Sequence, residues 1–413
     1  MGYRMKVNSI SRLRFGLPEI IYVYLALLPI IWMTEKSIQM VVQLLVCSVF
    51  VLIKKAKLKK CIISLMIYIF AHLVSIILNF QNESDPNRIM AAFSTVMSWA
   101  IGALIFSYIG DIKIRKETIQ RLCSYLLYVI IIISSLALIF SKLGISPFHI
   151  AGRSLYMIEW FNGRNRMRST CFMDYANLVP YACLLLFPFA YDRIDKDRTT
   201  LRIGFLLLMI IPLYVSNSRI GMLLFGGLLV IEAYKALRKR KNSRLILIMV
   251  IVLLVVIVAI NYQKILDLVT SGIDSIFYGR GASNATRFKQ YGITLERYKE
   301  STIVFGVGIK SMSPAVPDIP LGSHSTYLGA LYKSGLIGFF AMIYFFAYLI
   351  RRFFVLCKMR CLDKSYLISL LGFLIMMILE DIDGENWAIF LFFLCMAFAI
   401  NMGKQEESEC REG

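Results

Sequence analysis

Twelve apolar segments, each near the length of about 20 residues that a bilayer core demands, recur along the chain with polar breaks between them. They run approximately over 18–34, 38–53, 61–80, 89–109, 121–141, 171–191, 201–216, 219–235, 245–260, 324–350, 364–380 and 386–402. In lipid every backbone N–H and C=O must be satisfied internally. The pattern therefore predicts an all-α fold, a polytopic membrane helix bundle of about 12 transmembrane helices in a single membrane domain spanning 1–413. The seventh to ninth segments lie closest to the lower length limit. Composition agrees, with 58% hydrophobic and 17% charged residues where a soluble globule has about half and about a quarter. Disorder, collagen and disulfide-rich secreted folds are excluded on the same figures. Internal repeats are not apparent, and the basic stretch KKAKLKK at 54–60 reads as a solvated anchoring loop.

The formal charge of +20 would suggest nucleic acid in a soluble protein. With the N-terminus inside, however, 30 of the 46 Lys and Arg residues and 12 of the 26 acids fall on inner segments, leaving +18 inside and +2 outside. That is a positive-inside distribution, and it removes the reason to invoke nucleic acid. Arg4, Lys6, Arg12 and Arg14 precede an apolar run without a small-residue cleavage site, so the first segment is expected to stay as a signal anchor. Both termini are then cytoplasmic. Of nine cysteines only Cys171 falls near the outer surface, so no external disulfide is expected. Cys357 and Cys361 stand four apart on an inner loop, but no His or further Cys lies nearby to complete a metal set.

Two outer loops, 142–170 and 261–323, exceed the roughly 2 to 8 residues that join neighbouring helices. The larger one, between the ninth and tenth spans, is where function is expected. Within it TRFKQYGITLERYK (286–299) places Phe288, Tyr291, Leu295 and Tyr298 at helical spacing, predicting an amphipathic helix on the bundle or at the membrane interface. Arg287 and Arg297 fall within about 80° of each other around it, at about 100° per residue. Gly306, Gly308 and then SPAVPDIPLGS, with three prolines, make a non-helical approach to the tenth span.

The outer face prefers arginine, with nine of its sixteen cations: Arg88, Arg153, Arg164, Arg166, Arg168, Arg219, Arg280, Arg287 and Arg297. Arginine suits bidentate phosphate recognition; interfacial snorkelling is the plainer alternative. Arg219 stands in a very short turn, SNSRIG (216–221), and Arg168 lies within one segment of Asp174 and Asn177. His324 follows Gly322 and Ser323, so Ser323 is expected to cap a helix with His324 in its first turn, where the positive helix end keeps the imidazole neutral. His72 and His149 have no comparable context and read as structural. Glu380, Asp381, Asp383 and Glu385 in EDIDGEN read as a solvated acidic turn, with cation binding or sugar steering as the alternative.

Four pieces resemble the O-antigen ligase and polymerase superfamily of bacteria, the WaaL and Wzy types. They are RSTCFMDYANLVPYACLLL (168–186), SNSRIGMLL (216–224), TRFKQYGITLERYKESTIVFGVGIKS (286–311) and SHSTYLGALYKSGLIGFF (323–340). The resemblance covers the second half of the chain, and the first 140 residues only through span count. It implies glycosyl transfer outside a bacterial cytoplasmic membrane, from an undecaprenyl-pyrophosphate-linked donor to a hydroxyl, with no nucleotide sugar, no cofactor and no obligatory metal. It assigns Arg219 and Arg287 to the pyrophosphate, Arg168 to phosphate or positioning, and His324 to general base or pyrophosphate contact. Asp174, Asn177, Arg297 and Tyr327 are the further substrate-binding candidates. In the family Asn often follows the histidine; here Ser325 does, which bears on acceptor contacts. Partners implied are carrier-linked oligosaccharide donor and acceptor and membrane lipid, with a chain-length regulator and a flippase as further candidates. A polymerase of repeat units for O-antigen, capsule or exopolysaccharide is the leading reading. A ligase to lipid A core or another surface acceptor shares its donor chemistry. A flippase or transporter is disfavoured because the charges gather in outer loops rather than at mid-depth, and a metal-dependent glycosyltransferase of another fold is the remaining alternative.

Overall fold

The computed structural model describes residues 16–53, 60–161, 164–238, 281–314 and 320–412. The ninth apolar segment (245–260), the opening of the long loop (261–280), Pro317, the basic residues before 16 and most of KKAKLKK lie outside the described residues. Twelve helices are described: α1 (Leu17–Met33), α2 (Lys36–Ile53), α3 (Lys60–Asn79), α4 (Pro86–Ile109), α5 (Lys116–Lys142), α6 (Leu178–Asp192), α7 (Thr199–Ser216), α8 (Arg219–Arg238), α9 (Gly281–Lys299), α10 (Thr326–Lys358), α11 (Lys364–Leu379) and α12 (Asn386–Glu412). Eight are long and apolar enough to cross a membrane, and α1, α6 and α11 are apolar but shorter. The protein is a multi-pass membrane helix bundle.

Two helices form its centre. Every residue of α12 from Trp387 to Ile400 is buried, as is every residue of α6 from Leu178 to Tyr191. Both are apolar all round, which requires burial on every side. By contrast α2 turns Val41, Leu45, Leu52 and Ile53 outward, the surface expected of a helix facing lipid. The sixth span was expected to begin at residue 171 and begins at Leu178 instead. Cys171 and Phe172 adopt left-handed backbone (φ 51° and 59°), which ends any helix there. A 15-residue helix walled by protein need not match the thickness of lipid.

The alternating direction of the helices shows in the ion pairs at the two ends. At one end Lys36 meets Asp174 and Glu385, each at 3.2 Å, and Arg287 meets Glu380 at 3.5 Å. At the other, Lys116 meets Glu406 at 2.7 Å and Arg352 meets Glu407 at 3.1 Å. The first end gathers the longer connections and is called the loop face below. There the 142–170 loop departs from an all-helical reading, forming two antiparallel hairpins, β1 (His149–Ile150) with β2 (Arg153–Ser154) and β3 (Tyr156–Phe161) with β4 (Arg164–Ser169).

Helix α10 is broken at Gly335, whose backbone is non-helical (φ 61°, ψ −164°). The break frees donors that a membrane interior cannot leave unpaired. Segment 301–314 supplies their partners: Leu336 N–H donates to the Ile303 carbonyl (3.1 Å) and Ile337 N–H to that of Val304 (3.3 Å). In return Val307 N–H donates to the Tyr332 carbonyl at 2.7 Å. On its other side the segment lies on α3, where His72 Nε2 donates to the Gly308 carbonyl at 3.0 Å, a structural role as expected for this residue. The approach is backbone to backbone. A Cβ at Gly308 would lie 2.6 Å from Ile76 N, and one at Gly335 would lie 2.2 Å from the Val304 oxygen.

Gly308→Ala and Gly335→Ala should therefore each cost about 2–5 kcal/mol, combining left-handed strain with overpacking. Gly227→Ala in α8, where a Cβ meets nothing within 4 Å, should be neutral or slightly stabilising. Thermal unfolding of the detergent-purified variants checks the contrast; equal midpoints would contradict it.

Candidate active site

The residue chemistry at the loop face is organised by the turn between α11 and α12. Its sequence, EDIDGEN, was read as a solvated acidic turn, and that reading is corrected. Glu380, Asp383 and Glu385 are buried, Glu385 completely. Their partners are cations of this same chain, arriving from other elements. Arg287 of α9 reaches Glu380, Lys310 of the 301–314 segment pairs with Asp381, and Lys333 of α10 pairs with Asp383. Lys36 at the start of α2 reaches Glu385 and Asp174. Trp99 of α4 adds an N–H to Asp383 at 2.8 Å.

The carboxylates do not share one protonation behaviour. Burial pushes Glu385 up to about 8, helped by the neighbouring Asp174 against the pull of Lys36 and Arg153. Asp174 is instead held below its ordinary value: burial opposes this, but the hydrogen bond with Glu385 and the charges of Lys36 and Arg153 prevail. Asp383 is held down to about 2, because Lys333 and Lys310 overcome the effect of burial, while burial raises Asp381.

His324 sits against this turn, and its setting differs from the sequence expectation. Ser325, not Ser323, caps α10, its Oγ accepting from Leu328 N–H at 3.3 Å. His324 precedes the helix in left-handed backbone, φ 68°, a conformation that costs a non-glycine residue of order 1 kcal/mol and persists only where neighbours impose it. The neighbours are α9 on one side and the acidic turn on the other. Tyr291 Oη donates to the His324 carbonyl (2.8 Å), Gly322 N–H donates to Thr294 Oγ1 (3.1 Å), and Gln290 Nε2 donates to the Pro320 carbonyl (3.0 Å). Thr326 donates both its N–H and its hydroxyl to the Glu380 carbonyl, at 3.2 and 2.9 Å. Causes other than the helix end act on the imidazole. Burial first, and then the charges of Arg287 and Lys310, push it down to about 4.

The inward face of α9 is correspondingly polar. Gln290, Thr294 and Tyr298 are buried, whereas Phe288 is 73% exposed and Leu295 39% exposed. The expected stripe is thus split: Tyr291 and Tyr298 face the bundle, Tyr298 packing on Leu321 and Tyr332, while Phe288 and Leu295 stay exposed, and Gln290 and Thr294 complete the inward face by satisfying loop backbone groups.

Among the expected site residues, the structure connects Arg168, Asn177 and Arg287 through Glu380. Arg168 Nη2 donates to Asn177 Oδ1 (2.7 Å), Asn177 Nδ2 to Glu380 (2.6 Å), and Arg287 pairs with the same carboxylate while donating to the Leu379 carbonyl at 3.2 Å. Arg168 is buried and engages three groups, the others being Ser216 O and Glu159; it ties the β3–β4 hairpin to α6 and α7. Arg219 opens α8 beside Arg166, near enough for their charges to repel. Its turn is set by Asn217 in left-handed backbone and by Ser218, whose Oγ accepts from Gly221 N–H at 3.3 Å. Asp174 belongs with Lys36, Arg153 and Glu385 rather than with Arg168. Arg297 is three turns along α9 from Arg287 and pairs with Glu300. Tyr327 Oη donates to the Leu374 carbonyl, and its ring packs on Phe346 between helices.

Lys36, Lys310 and Lys333 were missed in the sequence. Lys333 carried a signal, since a charge inside an apolar span marks function or pairing. It lies seven residues into α10, about 10 Å along the axis, so the rule that charges keep to the outer loops fails there. Among the described residues no group of three or more His, Cys, Asp or Glu side chains is arranged to hold a metal ion.

Breaking the fully buried Lys333–Asp383 pair from one side strands a charge, which typically costs about 3–5 kcal/mol. Lys333→Met should lower thermal stability by that order, and Lys333→Met with Asp383→Asn should recover most of it. A double variant no better than the single would show that the pairing is not what matters.

Residues 204–343 match the family model described as O-antigen ligase, a stretch that contains Arg219, Arg287, His324 and Tyr327. No curated protein matches the chain. The matched region holds α9, segment 301–314 and the His324 corner, and over that third of the chain the protein is similar to the O-antigen ligase family.

Proposed function

We propose that the protein polymerises the repeat units of a surface polysaccharide, an O-antigen, capsule or exopolysaccharide, using oligosaccharide linked to undecaprenyl pyrophosphate as both donor and acceptor. The reaction takes place at the loop face, which the positive-inside distribution puts outside a bacterial cytoplasmic membrane, with both termini cytoplasmic. The observation that supports the polymerase reading is the gathering of two cations at the turn next to His324, Arg287 on Glu380 and Lys310 on Asp381, with Thr326 bound to the Glu380 carbonyl. Two carrier-linked substrates bring two anionic headgroups, and a ligase brings one carrier.

In this reading the donor pyrophosphate lies at Arg287 and Arg219. An acceptor hydroxyl hydrogen-bonds to the neutral imidazole of His324 and attacks the anomeric carbon. The new C–O bond forms as the bond to pyrophosphate breaks, the proton passes to His324, and the arginines stabilise the charge that develops on the leaving group. Charge stabilisation by arginine makes a metal unnecessary, and a single displacement inverts the anomeric centre. Arg168 and Asn177 hold Glu380, and through it Arg287, in place; Asp174, Arg297 and Tyr327 are positioned to support the framework.

Arg219→Lys and Arg287→Lys keep the charge and lose the planar fork, so each should lose most activity while still reaching the membrane. His324→Ala should do the same. A base that is neutral above about pH 4 gives kcat/KM that is level at neutral pH and falls as pH drops through about 4. Bound pyrophosphate offsets Arg287 and Lys310, so the acid limb of kcat should lie at higher pH than that of kcat/KM. Near-wild-type activity in His324→Ala would remove the histidine from the chemistry. Deleting the gene should leave single repeat units on the carrier, seen on a gel of carrier-linked glycan; full-length chains stranded on the carrier would establish the ligase instead.

A further inference from the structure

A cavity of about 620 Å³ opens at the loop face between α2 and α4, with the 301–314 segment and the start of α10 behind it. Four cations line it, Lys36, Arg88, Lys310 and Lys333, against two carboxylates, Asp381 and Asp383. Lys310 and Lys333 are paired with those two carboxylates, Lys36 with Asp174 and Glu385 beyond the lining, and Arg88 at 3.9 Å with Asp85, so an anionic headgroup would enter by sharing Lys36 and Arg88 with these partners. The distribution of polarity is also directional. Of the lining lysines Lys333 is buried and Lys310 half-buried, while Lys36 is exposed at the mouth; Met90 (71% exposed) and Ala91 stand exposed on α4, with Met40 on α2 also in the lining. A charged interior with an exposed apolar rim suits a molecule that has an anionic head and a hydrocarbon tail.

The cavity meets the candidate active site without coinciding with it. Ser323, next to His324 in the chain, lines it, and so does Lys310, whose charge His324 feels. Arg287 and Arg219 are not part of its wall. We infer that this cavity is a second lipid-binding site, taking the phosphate or pyrophosphate headgroup of a membrane lipid on Lys36, Arg88 and Lys310 while the lipid tail leaves between α2 and α4. The inference rests on the polymerase reading for the identity of that lipid, the second carrier-linked substrate. The headgroup held there sets its sugar toward Ser323 and His324, in a cavity whose wall does not include Arg287. An ordinary anionic phospholipid offers the same headgroup chemistry, and the test separates the two.

The full chain is purified into phosphatidylcholine nanodiscs, and geranylgeranyl pyrophosphate bound per chain is counted by native mass spectrometry. Two equivalents are expected for the wild type. Arg88→Ala with Ala91→Trp, which removes a headgroup contact and fills the rim, should leave one, and Arg287→Ala should remove the other. One equivalent in the wild type, or two in the rim variant, overturns the site. Displacement of the second equivalent by equimolar phosphatidylglycerol assigns the cavity to ordinary phospholipid and overturns its carrier role. Should the tryptophan prevent folding, Ala91→Cys gives the same answer: geranylgeranyl pyrophosphate should protect position 91 from maleimide, and unchanged labelling overturns the proposal. Because these readings count bound lipid and the polymerase reading is judged on glycan length, either can fail while the other stands.

Discussion

The loop face depends on burying three carboxylates and half-burying a fourth within six residues, and on finding cations for them. Glu380, Asp381, Asp383 and Glu385 immediately precede α12, the helix that every other layer surrounds. Carboxylates carried into that position by the chain must be paired or neutralised. Arg287, Lys310, Lys333 and Lys36 are drawn from α9, the 301–314 segment, α10 and α2 to do so, and Glu385 keeps its proton beside Asp174. Such pairs add little net stability compared with an apolar core, but removing one partner is costly. Their effect is to fix which elements meet, and hence where His324 stands.

From that constraint the properties of His324 follow. Thr326 is bound to the Glu380 carbonyl and Tyr291 to that of His324, so the histidine is held just outside α10 in a backbone conformation it would not adopt alone. Burial first, and then the charges of Arg287 and Lys310, lower the imidazole pKa below its ordinary value. A pyrophosphate arriving among them meets positive charge that is already in place, which is how preorganised electrostatics lowers a barrier without reorganisation at the moment of reaction.

Much of the bundle was legible in the sequence, because a lipid-facing or fully buried helix has to be an apolar run of set length. The eleven apolar helices among the described residues match expected segments within a few residues at most ends. The exceptions have local causes. Left-handed Cys171 and Phe172 delay α6, and the 149–169 hairpins arise from strand pairing that hydropathy cannot register. At the site, arginines and a histidine stand out by residue type, and three of them do lie along the connected loop face. The lysines did not, because their role comes from partners 50 to 350 residues away in the chain, as Lys333 with Asp383 and Lys36 with Glu385 show. The polarity of EDIDGEN likewise gave no sign of its burial, since a solvated and a paired acidic turn share one composition.

In the proposed reaction the headgroups are held by the cations that serve the acidic turn, next to His324. A cryo-electron microscopy structure of the protein with a polyprenyl-pyrophosphate-linked repeat unit tests it most directly. The account predicts pyrophosphate density within hydrogen-bonding distance of Arg287 or Lys310, with the first sugar against the His324 imidazole. Density for the pyrophosphate only beside Arg297, or at the end of the bundle where Lys116 meets Glu406, would contradict it.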